Sequence, residues 1–153
     1  MKIGSIVPDF ILKDRLDQDH QLSKINRIKI LYFYPKDNTP GCTIEAKEFS
    51  EALPKFDEVN SSIMGISGGD KKSKQKFCTD HNLKHVLLSD PDFKISKEYG
   101  VYGEKSFMGR KYRGIERTTF IIDKNNKLIH VFEKVKSLGH AKEVLNYIIL
   151  EIP

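Results

Sequence analysis

LYFYPKDNTPGCTIE, residues 31–45, passes from an apolar, aromatic run through a turn of Pro, Asp, Asn and Gly to a cysteine followed by helix-forming residues. These three parts read as a buried strand, a loop and the opening of a helix. Thr39 is the expected N-cap and Pro40 the first helical residue, where a missing N–H removes no intrahelical bond. Cys42 is then third in the helix, beside unpaired backbone N–H groups and the positive end of the helix dipole, surroundings that favour a thiolate. In this register the Thr39 hydroxyl is expected to accept from the Cys42 backbone N–H, its own proton free to point at the sulfur or at a substrate oxygen. On these residues alone Cys42 is either a reactive thiol or a small buried residue behind a simple cap.

Working outward, apolar and β-branched runs at Ile28 to Tyr34, Ser62 to Ser67, His85 to Leu88, Thr118 to Ile122 and Lys127 to Phe132 read as strands. Helical patterns lie between them. Ile44, Phe49, Leu53 and Phe56 form an apolar stripe after Cys42, with a break or kink expected at Pro54. Residues 70–82 form a charged helix capped by Asp70 and carrying Phe77 and Cys78. Asp92 to Tyr99 form a further helix closed by Gly100, and residues 101–117 read as a loop. Leu138 to Leu150 form the last helix, with Leu138, Ala141, Leu145, Ile148 and Ile149 on one side. Strands alternating with helices imply a parallel sheet, to which a hairpin centred on Lys124 to Asn126 adds an antiparallel pair. The expectation is an α/β chain of one domain, residues 1–153, with a thioredoxin-like fold: a central mixed β-sheet flanked by helices.

The chain of 153 residues is long enough for a sizeable core without metal or disulfide staples. No apolar run approaches the ~18 residues of a membrane span, and MKIGSIVPDFIL lacks the core of a signal peptide. A cytoplasmic protein without a membrane partner is expected. The 26 basic residues are set against 21 acidic ones, leaving a net charge of only +5. Clusters at Lys71, Lys72, Lys74 and Lys76, and at Arg110, Lys111 and Arg113, come with no nucleic-acid motif. They are read as solvated faces, so no nucleic-acid partner is expected. Two cysteines in such a chain do not make a disulfide framework and are reactive, metal-binding or simply buried.

PKDNTPGC carries the Pro-x-x-x-Thr-x-x-Cys signature of peroxiredoxins, and FYPKDNTPGCTIE as a whole resembles the PrxQ type, also called bacterioferritin comigratory proteins. The resemblance spans most of the chain, through GSIVPDFIL at residues 4–12, LLSD at residues 87–90 and the stretch from Tyr102 to RTTFIID at residues 117–123. It implies a peroxiredoxin variant of the thioredoxin-like fold that reduces hydrogen peroxide and alkyl hydroperoxides without a cofactor or a metal. Cys42 is then the peroxidatic cysteine and Thr39 hydrogen-bonds the peroxide. Pro35 shields the pocket, Arg117 holds the thiolate and polarises the substrate, and Glu45 orients the arginine. The Gly41 and Cys42 N–H groups contact the peroxide. Without the resemblance, Arg117 reads as a surface charge before a strand, and Glu45 as an acid that suits the first helical turn.

A thiol of ordinary pKa ~8.5 is about 3% ionised at pH 7, so full ionisation is worth at most ~30-fold in thiolate. Efficient peroxide reduction therefore depends on positioning the O–O bond and stabilising the departing oxygen. Many PrxQ proteins carry a resolving cysteine five residues after the first, where this chain has Lys47. The family's alternative, a resolving cysteine on the next helix, matches Cys78. A disulfide requires Cα atoms within ~7 Å, so local unwinding is expected during turnover. Recycling by thioredoxin or a similar dithiol, and a monomeric state, complete the expectation. The rivals are a one-cysteine peroxidase reduced by external thiols, a thiol-disulfide oxidoreductase, which normally carries a Cys-x-x-Cys absent here, and a binding protein with incidental thiols. Cys78-x-x-His81-x-x-x-His85 has metal-like spacing but lacks a fourth ligand, and His20, His130 and His140 are assigned to surface or capping positions.

Overall fold

The computed structural model describes residues 1–152. In chain order, β1 (Ile11–Asp14) and β2 (Asp19–Gln21) form a hairpin and are followed by β3 (Ile28–Phe33), α1 (Pro40–Glu58), β4 (Ser61–Ser67), α2 (Lys71–His81) and β5 (Val86–Ser89). Next come α3 (Lys94–Glu98), β6 (Tyr102–Phe107), β7 (Arg110–Ile115), β8 (Thr118–Ile122), β9 (Leu128–Phe132) and α4 (His140–Glu151). Seven strands form a mixed sheet in the order β2-β1-β5-β4-β3-β8-β9. Strands β3, β4 and β5 are parallel, whereas β8 runs antiparallel to β3 and β9 antiparallel to β8. This is the thioredoxin-like arrangement of a central mixed sheet flanked by helices that the sequence pattern implies.

The central strand explains why the run at residues 28–34 is apolar throughout. Alternate side chains point to opposite faces, and both faces are covered. Ile30, Tyr32 and Tyr34 enter one core with Phe49 and Phe56 of α1, Phe77 of α2, and Val144, Leu145 and Ile148 of α4. Leu31 and Phe33 enter the other, with Val7, Phe10 and Leu22 from the N-terminal segment and Ile95 of α3. Gly65 in β4 admits Tyr32: a Cβ there would lie 2.7 Å from the tyrosine ring and 2.8 Å from Leu87. The Tyr32 ring stacks on Phe49 at 4.6 Å, and its hydroxyl bonds His85 at 2.5 Å.

The sheet register assembles one end of the molecule. Phe33 pairs with Thr118 on one side and Ile66 on the other, and the Tyr34 N–H donates to the Ile66 carbonyl at 3.0 Å. The loop leading to Cys42, the residue preceding β8 and the end of β4 therefore meet at the C-terminal edge of β3.

Several local expectations are corrected. Residues 102–115 are a two-stranded hairpin, not a loop, turning at Met108 (φ 51°) and Gly109 (φ 79°), the twisted geometry that favours tight hairpins. Helix α1 continues through Pro54 to Glu58, and Ile44 is exposed rather than part of its core stripe. The 92–99 helix is reduced to α3, because Asp92 and Phe93 adopt positive φ. The buried Asp90 carboxylate accepts from the Ile95 and Ser96 N–H groups at 3.0 and 2.8 Å and so fixes the start of α3. Leu138 precedes α4 and is 79% exposed, and Ile149 is 56% exposed; Val144 fills the core instead. Lys74 is buried, so the lysine cluster on α2 is not a uniformly solvated face.

Gly65→Ala is expected to destabilise the fold by about 1–3 kcal/mol through overpacking against Tyr32 and Leu87, measured as a lower urea midpoint at unchanged slope. Gly103→Ala in β6, where a Cβ meets no atom within 4 Å, serves as the control.

Candidate active site

Thr39 has the extended backbone of an N-cap (φ −95°, ψ 156°), Pro40 opens α1 and Cys42 is its third residue. The Thr39 carbonyl accepts the first helical bond, from the Thr43 N–H at 2.8 Å. Its side chain departs from the expected cap. The hydroxyl donates to the Lys36 carbonyl at 3.0 Å and does not accept from the helix, because the bend at Asn38 (φ 63°) folds residues 36–39 back on themselves. The Thr39 oxygen thus keeps its lone pairs, and the Gly41 and Cys42 N–H groups precede the first intrahelical donor.

The Cys42 sulfur is buried and accepts a hydrogen bond from Arg117 Nη2 at 3.4 Å. Arg117 reaches it from the residue before β8, 75 positions along the chain. Its Nη1 donates to Glu45 Oε1 at 2.8 Å, and Glu45 shares a helix face with Cys42 one turn earlier. The Arg117 side chain is only 16% exposed, which removes the surface-charge reading. Its backbone is held too, since the Arg117 carbonyl accepts from the Val135 N–H at 3.0 Å. Burial alone would lower the Arg117 pKa, but Glu45 and the Cys42 sulfur outweigh it and raise the value. Burial pushes the Glu45 carboxyl up to about 7 against the opposing pull of Arg117, and its second oxygen has no partner among the described residues.

Gly41 has a steric role that the sequence did not disclose. A Cβ there would lie 3.2 Å from Arg117 Nη2 and 3.3 Å from Ser137 Oγ, so the glycine leaves room for the guanidinium beside the sulfur. Pro35 is half-buried in the loop after β3. Asp37, also passed over, is buried and accepts from the Tyr34 hydroxyl at 2.5 Å.

Cys78 is on α2, buried in the same apolar cluster as Cys42, and both are free thiols. Burial pushes its thiol above the ordinary value, with partial opposition from Arg15. The neighbouring histidines face other partners. His81 pairs with Asn38 Oδ1 at 2.8 Å, and His85 contacts the Tyr32 hydroxyl and is pushed down to about 3 by burial. His140, expected at a surface or capping position, opens α4 and is buried, 2.7 Å from the Thr119 hydroxyl, which removes the surface alternative. No cluster of three or more His, Cys, Asp or Glu suited to a metal occurs among the described residues.

A thiol with a paired arginine beside it, next to backbone N–H groups that have no partner among the described residues, forms a site suited to nucleophilic attack that leaves negative charge on a departing atom. Comparisons with known proteins agree. The AhpC/TSA family model matches residues 3–131. Peroxiredoxin Bcp of Bacillus subtilis is 40% identical over 146 residues, 95% of this chain and 93% of that protein. Among solved structures, a cysteine-to-serine variant of Xylella fastidiosa PrxQ superposes with a TM-score of 0.94 at 35% identity, covering 100% of this chain and 98% of that one. The Xanthomonas campestris bacterioferritin comigratory protein gives 0.86 at 33% identity, covering 92% and 90%. This chain belongs to the AhpC/TSA family, and within it to the Bcp, or PrxQ, peroxiredoxins.

Proposed function

We propose that this thiol-dependent peroxidase reduces hydrogen peroxide and alkyl hydroperoxides through Cys42, and that Cys78 resolves the product. The observation that carries the reading is the Arg117 guanidinium held between the Cys42 sulfur at 3.4 Å and Glu45 at 2.8 Å. In the first step the Cys42 thiolate attacks one peroxide oxygen, forming an S–O bond and breaking the O–O bond. The departing oxygen takes a proton and leaves as water or alcohol, and Cys42 becomes a sulfenic acid. Charge builds on that departing oxygen, so Arg117 and the Gly41 and Cys42 N–H groups act as its stabilising donors. With the Thr39 proton committed to Lys36, the Thr39 oxygen accepts the peroxide O–H and aligns the substrate. Pro35 shields this pocket from water, and Glu45 positions Arg117.

In the second step the Cys78 sulfur attacks the Cys42 sulfenic sulfur. The S–S bond forms, and the hydroxyl leaves as water with the Cys78 proton. Two solved variants of Xanthomonas campestris peroxiredoxin Q each replace one cysteine by serine; the replaced positions are 36 residues apart, as are Cys42 and Cys78. That protein's solved complexes concern alkyl peroxide reduction. Thioredoxin or a similar dithiol then reduces the disulfide. The reading takes residues 1–153 as one cytoplasmic, monomeric domain, and no helix among the described residues is long and apolar enough to cross a membrane.

Peroxide consumption coupled to a dithiol reductant should disappear in Cys42→Ser; activity that survives overturns the assignment. After one equivalent of peroxide, intact mass should show a Cys42–Cys78 disulfide within one chain of the wild type, and a sulfenic acid in Cys78→Ser. Undiminished turnover of Cys78→Ser with the dithiol would instead show direct reduction of Cys42 by the external thiol. Arg117→Lys loses the planar fork that spans sulfur and carboxylate, and should lower kcat/KM for peroxide by about 10²-fold.

Glu45 makes stability pH-dependent. Its carboxyl holds a proton more tightly folded, with a pKa of about 7 against an ordinary 4.5, so its favourable contribution is complete below pH 4.5 and fades as pH rises to about 7. Relative to Glu45→Gln, the wild type should lose roughly 3 kcal/mol of unfolding free energy across that interval, read from urea titrations at several pH values. A pH-independent difference would show that Glu45 does not titrate there.

A further inference from the structure

Lys74 and Asp37 form a buried ion pair that the peroxidase chemistry does not use. Lys74 Nζ donates to Asp37 Oδ2 at 2.9 Å, Ser67 Oγ at 2.7 Å and the Gly69 carbonyl at 3.2 Å, so all three ammonium protons are engaged. Asp37 in turn accepts from the hydroxyls of Tyr34 at 2.5 Å, Ser67 at 3.2 Å and Ser73 at 2.6 Å. The Lys74 side chain is 0% exposed and that of Asp37 is 3% exposed. Gly69 is required for this approach, since a Cβ there would fall 2.1 Å from Asp37 Oδ2.

The pair joins the two segments that carry the cysteines. Asp37 lies in the loop five residues before Cys42, and Lys74 lies on α2 one turn before Cys78. Side chains four apart share a helix face, so Lys74 and Cys78 are buried on the same face of α2. Opening α2 returns both charges to water, whereas removing one partner from the closed state leaves the other buried and unpaired. The closed arrangement is therefore held by matched geometry that one substitution can spoil. Cys78 is buried with its thiol pushed above the ordinary value, a state poorly suited to attack.

We propose that the Asp37–Lys74 pair is the latch that keeps α2 closed over the reduced enzyme and sets how fast Cys78 captures the Cys42 sulfenic acid. The inference rests on the reading of Cys78 as the resolving thiol. Lys74 and Ser73 are positioning residues: they act on the second step through α2 and leave the first step alone. A weaker latch shortens the life of the sulfenic acid, and so reduces its oxidation by a second peroxide to sulfinic acid.

The test separates the two steps by rapid mixing with hydrogen peroxide, followed by acid quench and intact mass. Lys74→Gln is expected to speed disulfide formation by ~10-fold or more, with the second-order rate of peroxide attack on Cys42 changed by less than ~3-fold. Ser73→Ala, which removes one donor to Asp37 and keeps the ion pair, should speed disulfide formation by roughly threefold, and it keeps the proposal testable if Lys74→Gln does not fold. Both variants should require more peroxide than the wild type to accumulate Cys42 sulfinic acid. A wild-type disulfide that forms at the same rate in the variants overturns the latch alone. Attack and resolution rates that fall together overturn it as well, by assigning the pair to the Cys42 loop only. Absence of a Cys42–Cys78 disulfide in the wild type overturns the latch and the resolving role of Cys78 together.

Discussion

Arg117 links the buried sulfur of Cys42 to the buried carboxyl of Glu45, and much of the architecture serves to bring it there. Antiparallel pairing of β8 with β3 delivers the residue before Thr118 to the edge from which α1 departs. The 3.6-residue period of α1 aims Cys42 and Glu45 in one direction. Gly41 leaves out the one carbon that would press on the guanidinium. A charge this close to the core is tolerated because it is paired on both sides.

A second buried charge pair, Asp37 with Lys74, occupies the same end of the sheet and follows a different logic. Arg117 faces the Cys42 sulfur, and its partners leave donor capacity unused. Lys74 spends its three donors within the protein and has none left for a ligand. On the proposed reading the two networks divide the labour: one stays open to substrate, and the other stays closed and holds its helix in place.

Sequence patterns revealed the central fold because burial on both faces of β3 and β8 leaves long apolar runs, and Thr118–Ile122 emerged with its observed bounds. The Cys42 helix start was equally legible, since cap, proline and cysteine are adjacent. The β6–β7 hairpin escaped because its strands are largely exposed and charged, and because a methionine rather than Asn or Gly takes the first left-handed position of its turn. The burial of Lys74 and of His140 is not legible locally because their partners, Asp37 and Thr119, lie 37 and 21 residues away. The side-chain bond of Thr39 was misread since a cap hydroxyl has two competing uses, and the loop's bend chose between them.

That choice at Thr39 bears on which oxidants the pocket can distinguish. A hydroxyl whose proton is spent on a backbone carbonyl presents only an acceptor, while Arg117 and the helix start present only donors. On the proposed reading, the complement of this pattern is a molecule with one O–H beside a second oxygen that accepts. Hydroperoxides have that polarity whatever their organic substituent, and dialkyl peroxides, with no O–H to give, leave the threonine oxygen unmatched. The orientation of one hydroxyl thereby becomes a chemical filter that reads the terminus of the oxidant and is indifferent to its tail.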